Sequence, residues 1–584
     1  MSIRLASFAL FTLAFFAGSS LFAQSAGPLV KLLASGKLPP ERQATVVEMI
    51  CKRGDAADLQ VVLDRVLDKQ GFAGPLQAKA LAWLSEATAT RKVVPAGDLS
   101  RLKTLIASPD AAVRQAALKA AADWKVAALA PELRLLAEKE TTEHGLRVVA
   151  IAGLAQLGDA SSKAALLALA KEVKPISLRL VAATALVESD FAAGSGPAVA
   201  VLKVAATEDD IGPLLDAVLA RKQGTETLAE LLKAAPVSAD MAKRVLRHLY
   251  GAGRSDAALI DLMSEQAGLS SEITKPTPDE IQKLVKEVLA SGDAARGEKI
   301  FRRADLGCFN CHSLNRAGGQ VGPDLTAVGS ISPPDYVATS ILDPSASIKE
   351  QFLTRMLITT AGKTYTGIVA ERDDTKIVLR EATGKSITIP VADIEEEAEG
   401  KSLMPQGITR FLTRSELVDL IRFVGELGKP GPYALRTTPV VARWRVMEKV
   451  PAEIAAETPN IDQARQYFLE PAADAFRSVY ATVSGDLPLA ELKQAKNGAT
   501  YLLGEFQVTV AGAVELAIQA PPKTEVYLDA IPSGPVAKAS GELTAGRHRV
   551  VLRVPAGSGA SDSIRVELRR PAGSKAQFDP IGGP

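Results

Sequence analysis

The sequence predicts a multidomain chain: an all-α solenoid of helical repeats, then a small α domain carrying an antiparallel β insertion, then a β-sandwich. Three observations carry that prediction. At 584 residues the chain is too long for one core, at about 150 residues per domain. Residues 28–275 are rich in Ala and Leu, with apolar positions recurring every three or four residues. Beyond residue 500, apolar and polar residues alternate instead. The composition, 47% hydrophobic and 23% charged, is that of folded globular domains and excludes wholesale disorder. Lys plus Arg number 68 against 67 Asp plus Glu, a net charge of +1, so no global field favours nucleic acid or an anionic membrane, and no nucleic-acid partner is expected. Three cysteines are too few for a disulfide framework.

Arg4 precedes an uncharged apolar run centred on Phe8 to Ala17, followed by small residues and Ala23-Gln24. That order of charge, apolar core and small-residue site predicts a secretory signal peptide over residues 1–23. A periplasmic or extracellular protein with no transmembrane span after cleavage is expected.

Within 28–275, Val113-Arg114-Gln115-Ala116-Ala117-Leu118, Leu146-Arg147-Val148-Val149-Ala150-Ile151 and Leu178-Arg179-Leu180-Val181-Ala182-Ala183 superpose with steps of 33 and 32 residues. Such a period predicts stacked helix pairs, because one pair cannot bury its apolar face without neighbours. Ser108-Pro109-Asp110 signals a helix start, and Gly158-Asp159 separates two helices within one repeat. The pattern resembles HEAT repeats. His144, His248 and Cys51 are isolated in this region and are read as structural or surface residues. The repeats are expected to end near Thr274-Lys275-Pro276-Thr277-Pro278, where two prolines interrupt the helical pattern.

The next domain, expected over 279–430, contains Arg296-Gly297-Glu298-Lys299-Ile300-Phe301, then Cys308-Phe309-Asn310-Cys311-His312, then Gly322-Pro323-Asp324-Leu325. Two cysteines three apart at a helix start can each form a thioether to a haem vinyl group, and the histidine directly after is placed to ligate the iron. A structural zinc site lacks a second Cys/His pair, a redox dithiol of thioredoxin type lacks the preceding apolar strand, and a simple disulfide is the remaining alternative. The expectation is one covalent haem c. For the other axial position the candidates are His548, Met356, Met404 and Met447. Met404 is favoured, since it lies in the loop-like Ser402-Leu403-Met404-Pro405-Gln406-Gly407 ahead of an amphipathic helix at 415–424. His312 and Met404 would then hold the metal, an arrangement that passes electrons rather than binding oxygen.

Residues 290–430 resemble the PVC-type c-haem domain of large secreted bacterial proteins, a likeness carried by Gly297, Phe301, the Cys308–His312 motif, Gly322-Pro323-Asp324-Leu325 and the Ser-Leu-Met-Pro loop. The resemblance implies that the Pro323 carbonyl accepts a hydrogen bond from His312, and that Phe301 and Phe423 pack the terminal helices of a cytochrome c-like fold. A compact cytochrome would not place 91 residues between His312 and Met404. Short alternating runs at 357–360, 364–369, 376–379 and 386–389, joined by tight turns, predict an inserted four-stranded antiparallel sheet over about 352–392. The acidic run Asp393 to Glu399, with Arg302, Arg303, Arg410 and Arg414, is read as a solvated face, or else as a rim that steers a redox partner.

Residues 431–500 read as a mixed linker, and alternation from Phe506 to Leu568 predicts a β-sandwich over 501–584. Leu543-Thr544-Ala545-Gly546-Arg547-His548-Arg549-Val550 resembles jelly-roll modules of secreted enzymes, some of which bind carbohydrate. Sugar sites need exposed aromatic platforms, and only Tyr501, Phe506, Tyr527 and Phe578 are available, so a structural or docking role is preferred to a carbohydrate partner. The functional expectation is an exported mono-haem c-type cytochrome that exchanges electrons with a redox partner protein, either a separate dehydrogenase or a terminal acceptor. The alternatives are a haem-dependent oxidoreductase or peroxidase subunit, and a binding or scaffold protein with haem as sensor. No propeller repeat, Rossmann glycine signature or metalloprotease motif argues for stand-alone catalysis.

Overall fold

The computed structural model describes residues 26–583, apart from 69, 73, 254–255, 271, 456, 471, 473–474, 493–497, 534–537 and 558–561. The expected leader, residues 1–23, lies outside the described residues. Helices occupy the N-terminal half and antiparallel sheets the C-terminal part, with a small sheet inserted between helices. Among the described residues, no helix is long and apolar enough to cross a membrane.

In the repeat region, the first, fifth and sixth positions are buried in all three superposed segments: Val113, Ala117 and Leu118; Leu146, Ala150 and Ile151; Leu178, Ala182 and Ala183. That spacing puts three side chains of each helix on one face, where the neighbouring helix covers them. The Asp110 carboxylate caps its helix by accepting the N–H groups of Ala112 and Val113 at 2.8 and 3.2 Å. The second position of each repeat is an arginine that ties its helix to the preceding turn. Arg114 Nη1 donates to the Ser108 carbonyl at 2.7 Å, Arg147 Nε to Ala137 at 2.9 Å, and Arg179 Nε to Val173 at 2.9 Å. These bonds satisfy carbonyls that the end of a helix or turn would leave without partners.

Packing divides the chain into two compact units, one reaching Met241 and including Ser255–Leu262, the other holding Ala242–Arg254 and Met263–Pro584. The division falls earlier than the prolines at 276 and 278. Residues 242–254 belong with the second unit because the Tyr250 ring packs on Phe411 at 5.4 Å and Arg247 pairs with Glu416 at 2.9 Å.

Within the second unit, helices Pro278–Ser291 and Ala294–Phe301 pack against helix Arg414–Glu426. Thr277 with Glu280, and Thr413 with Glu416, form reciprocal capping boxes at the first and last of these. The short hairpin β1 (Ser313–Leu314) and β2 (Ala317–Gly318) follows the cysteine motif. The insertion holds five strands, one more than expected: β3 (Thr354–Thr359), β4 (Thr364–Arg372), β5 (Lys376–Arg380), β6 (Ser386–Pro390) and β7 (Ile394–Glu399), in the order β6-β5-β4-β3-β7. Its core is Leu357, Ile377, Leu379 and Ile389. The fifth strand is the acidic run. Its glutamates mask the alternation, and Glu397 pairs with Arg372 at 2.9 Å and with Arg355 at 3.6 Å.

Two further sheets face each other. One has the order β10-β17-β12-β15, from Leu487–Pro488, Ser563–Arg569, Gly512–Gln519 and Lys538–Leu543. The other runs β14-β13-β16-β11-β8-β9, from Ile531–Pro532, Glu525–Leu528, Gly546–Pro555, Ala499–Val510, Arg443–Met447 and Phe476–Tyr480, with β18 (Gln577–Pro580) also pairing to β11. Residues 431–500, read as a linker, therefore supply strands and the buried Trp444. Over 499–506 strand β11 is buried on both faces, which erases its alternation there: Leu502 and Phe506, with Val508 beyond, fill the space between the sheets, while Tyr501 and Leu503 join Ile454, Phe468 and Tyr527 on the other side.

Candidate functional site

The frame of the site is the crossing of helices Ala294–Phe301 and Arg414–Glu426. Gly297 makes the crossing close, since a Cβ there would stand 1.9 Å from the Asp419 carbonyl oxygen. Arg296 clamps the pair, with Nε and Nη2 at 2.7 and 3.0 Å from the buried Asp419 carboxylate, which also accepts the Asp293 N–H. Below the crossing, Phe301 packs on Phe423 with ring centroids 5.5 Å apart and meets Phe309 edge-on at 5.1 Å.

Phe309 lies between the two cysteines. Cys308–Cys311 is a single helical turn that follows Gly307 at φ +62° and is closed by the His312 N–H donating to the Cys308 carbonyl at 2.9 Å. The next loop wraps this turn and satisfies its carbonyls: the Gly319 N–H donates to Phe309 and the Gly322 N–H to Cys311, each at 2.8 Å. Gly322 lies against the imidazole of His312, where a Cβ would stand 2.8 Å from Cε1. His312 Nδ1 lies 2.9 Å from the Pro323 carbonyl oxygen. A carbonyl only accepts, so Nδ1 carries the proton and the lone pair resides on Nε2. Burial pushes His312 down from its ordinary value, against the Pro323 bond and the Asp324 charge, and so favours the neutral ring. Asp324 is itself fixed, by Ser313 Oγ at 2.5 Å and the Thr326 N–H at 2.9 Å.

Cys308 and Cys311 are both free, half-buried thiols. Burial pushes Cys308 up to about 12 and raises Cys311, so both stay protonated near neutrality. Met404 is half-buried in the loop after β7, its N–H bonded to Ser402 Oγ at 3.2 Å. The structure thus brings His312 and Pro323 together and sets the two cysteines at the ends of one turn. Among the described residues, no hydrogen bond joins Met404 to these four.

The expectation of one covalent haem c is overturned by the ligand set. Among the described residues, no group of three or more His, Cys, Asp and Glu side chains stands together so as to hold a metal ion. No step is therefore assigned to an iron porphyrin.

No protein-family model and no curated protein matches the chain. Its site must be read from its own residues.

Several residues that shape the site carry no motif. Tyr480 stacks on Phe309 with centroids 4.2 Å apart, Glu298 accepts the Val483 N–H at 2.5 Å, and the Gly318 N–H donates to the Gly582 carbonyl at 2.6 Å. On the opposite side, Arg380 of the insertion donates to the Gln320 carbonyl at 3.1 Å. The arginines read as a solvated face, or else as a rim, are engaged within the fold: Arg302 with Glu491, Arg303 with Asp305 and Glu416, Arg414 with Glu287, and Arg410 with the Ser270 carbonyl.

Proposed function

We propose that the chain is an exported electron-transfer protein whose redox-bearing element is the Cys308–His312 turn, with the helical repeats as scaffold and separate redox proteins as donor and acceptor. The observations that carry this reading are the two free thiols at the ends of one helical turn and the Nδ1–H bond from the adjoining His312 to Pro323, which leaves the lone pair on Nε2. The couple is the two thiols themselves, which lose two electrons and two protons to the acceptor protein on closing to a disulfide and regain both from the donor protein. The apolar run of residues 8–17 supports export.

The test uses the full chain exported from a bacterial host and adsorbed on an electrode. A reversible wave that disappears in the Cys308→Ala, Cys311→Ala double variant is expected. Intact mass reports any group gained on the two sulfurs, and a mature chain starting at Gln24 is expected. An exported wild-type protein with no reversible wave, or one whose wave survives in the double variant, overturns the assignment.

A further inference from the structure

Directly opposed residues of neighbouring strands put their side chains on the same face of a sheet, and so do residues two apart along one strand. Arg443 opposes Tyr480 and Arg445 opposes Ser478 across the β8–β9 pair, while Arg445 opposes Leu503 across the β8–β11 pair. Glu505 stands two residues beyond Leu503 and opposes Arg549 across the β11–β16 pair, and Arg547 precedes Arg549 by two. At this end of the face, arginines of β8 and β16 therefore flank one glutamate on the strand between them.

Glu505 is buried and cannot neutralise them all. It pairs with Arg549 at 3.1 Å and with Arg547 at 3.6 Å. Arg443 and Arg445 make no ion pair among the described residues. Arg443 Nε and Nη2 both donate to the Ser478 hydroxyl, at 3.3 and 3.2 Å, and the Arg445 guanidinium lies 5.3 Å over the Phe476 ring. The nearby acids are taken, Asp529 by His548 and the Arg549 N–H, and Asp579 by Arg316. Burial pushes Arg443 down from its ordinary value, and the like charges of Arg445 and Arg547 add to that against Tyr480 and Glu505. Guanidinium groups crowded beyond what their one carboxylate neutralises repel each other until an anionic surface covers them.

The layout matches spaced carboxylates on a folded protein. Glu505 interrupts the positive field between Arg443 and Arg549, which disfavours a continuous polyanion or an anionic bilayer, and each guanidinium fork fits a carboxylate. The same face reaches the motif: Tyr480, opposite Arg443, stacks on Phe309 between the two cysteines.

We infer that Arg443, Arg445, Arg547 and Arg549 form the docking face for an acidic patch on the redox partner protein, bringing that partner to the side of Phe309. The redox character of the partner rests on electron transfer at the Cys308–His312 turn, and the face is tested without it.

The probe is a labelled alanine-rich helical peptide with glutamate at every fourth position, followed by fluorescence anisotropy on the full chain. Its carboxylates repeat at about 6 Å, close to the roughly 7 Å between Arg443 and Arg445 along β8. The peptide is expected to bind at low salt and about tenfold more weakly at physiological salt, and its glutamine counterpart not to bind. Arg443→Gln with Arg445→Gln, and separately the exposed Arg547→Gln, should each weaken binding about threefold to tenfold with the melting temperature unchanged. Arg372→Gln with Lys376→Gln, an equal loss of charge on the insertion, should leave it unchanged. The Cys308→Ala, Cys311→Ala double variant should bind as the parent does. Binding by a parent that gives no electrode wave upholds the face and removes only the redox character of the partner. No saturable binding of the acidic peptide, binding only of heparin or of phosphatidylglycerol vesicles, or equal weakening in the insertion variant would overturn the inference, even with the electrode wave intact.

Discussion

The ring of Phe309 lies flat on that of Tyr480, with centroids 4.2 Å apart and planes 9° from parallel. Phe309 separates the two cysteines and Tyr480 ends strand β9, so the sandwich helps to set the geometry of the motif. Tyr480→Ala should cost about 1–3 kcal/mol. Hydrogen exchange should quicken across 308–325 and stay unchanged across 111–189. Equal protection of 308–325 in both proteins would show that the stack does not hold the turn.

Gly297 admits the Asp419 backbone at a distance no side chain tolerates. Gly297→Ala should separate the two crossing helices, loosen the Phe301 contact with Phe423, and destabilise the second unit by about 2 kcal/mol or more. Urea unfolding followed by tryptophan fluorescence measures this, Trp444 being buried in that unit.

Two buried glutamates should respond to pH with opposite signs. Burial raises Glu298 above its ordinary value of 4.5, outweighing the Val483 bond and the Arg302 charge. Its folded form holds a proton more tightly, so its contribution is present below pH 4.5 and is lost as pH rises through the raised value. Burial would also raise Glu416, but the Arg247 guanidinium, the Thr413 N–H and Arg303 together hold it below 4.5. Its contribution is present above 4.5 and is lost as pH falls through the lowered value. Glu298→Gln should therefore match or exceed the parent in stability at pH 7, an advantage that fades on acidification. Glu416→Gln should lose about 1–3 kcal/mol at pH 7, a deficit that closes as the pH falls. Unfolding midpoints at pH 7 and pH 4 decide both.

Burial pushes both Cys51 and Cys308 up to about 12, and raises Cys311 as well. In the native chain purified under reducing conditions, iodoacetamide at pH 8 should label all three slowly, and denaturant should release all three together. Rapid native labelling of Cys308 would contradict a protonated thiol.

Arg147 is 3% exposed, and its Nε bonds the Ala137 carbonyl. Arg147→Met keeps the apolar stem but leaves that carbonyl unpaired, at a cost of about 1–3 kcal/mol to the helical repeats. Circular dichroism on thermal unfolding should show the loss in the first unit's transition.

The repeat register was legible because each helix has one buried face, and the same three positions recur at 33 and 32 residues. The insertion was legible where one face alternates, and lost at Ile394–Glu399, where glutamate replaces the apolar partner on an edge strand. Strand β11 hid its period over 499–506, where both of its faces are covered, and showed it from Phe506 on. In the site, the Cys308–His312 turn stood out by its spacing, and Pro323 only through the resemblance of residues 290–430. Tyr480, Val483 and Gly582 did not, because what binds each of them to the turn is a contact spanning more than a hundred residues, and Tyr480 and Val483 lie in a stretch with no regular pattern.

The pairing of Gly318 with Gly582, and of Arg316 with Asp579 across 263 positions, has a bearing on timing. Helical repeats seek only near neighbours and can assemble while the rest of the polypeptide is still emerging, whereas contacts this distant form late. The turn after His312 thus stays open until the 577–582 stretch arrives. That interval is when the loop after His312 is most accessible, since the Gly582 carbonyl is not yet there to accept the Gly318 N–H.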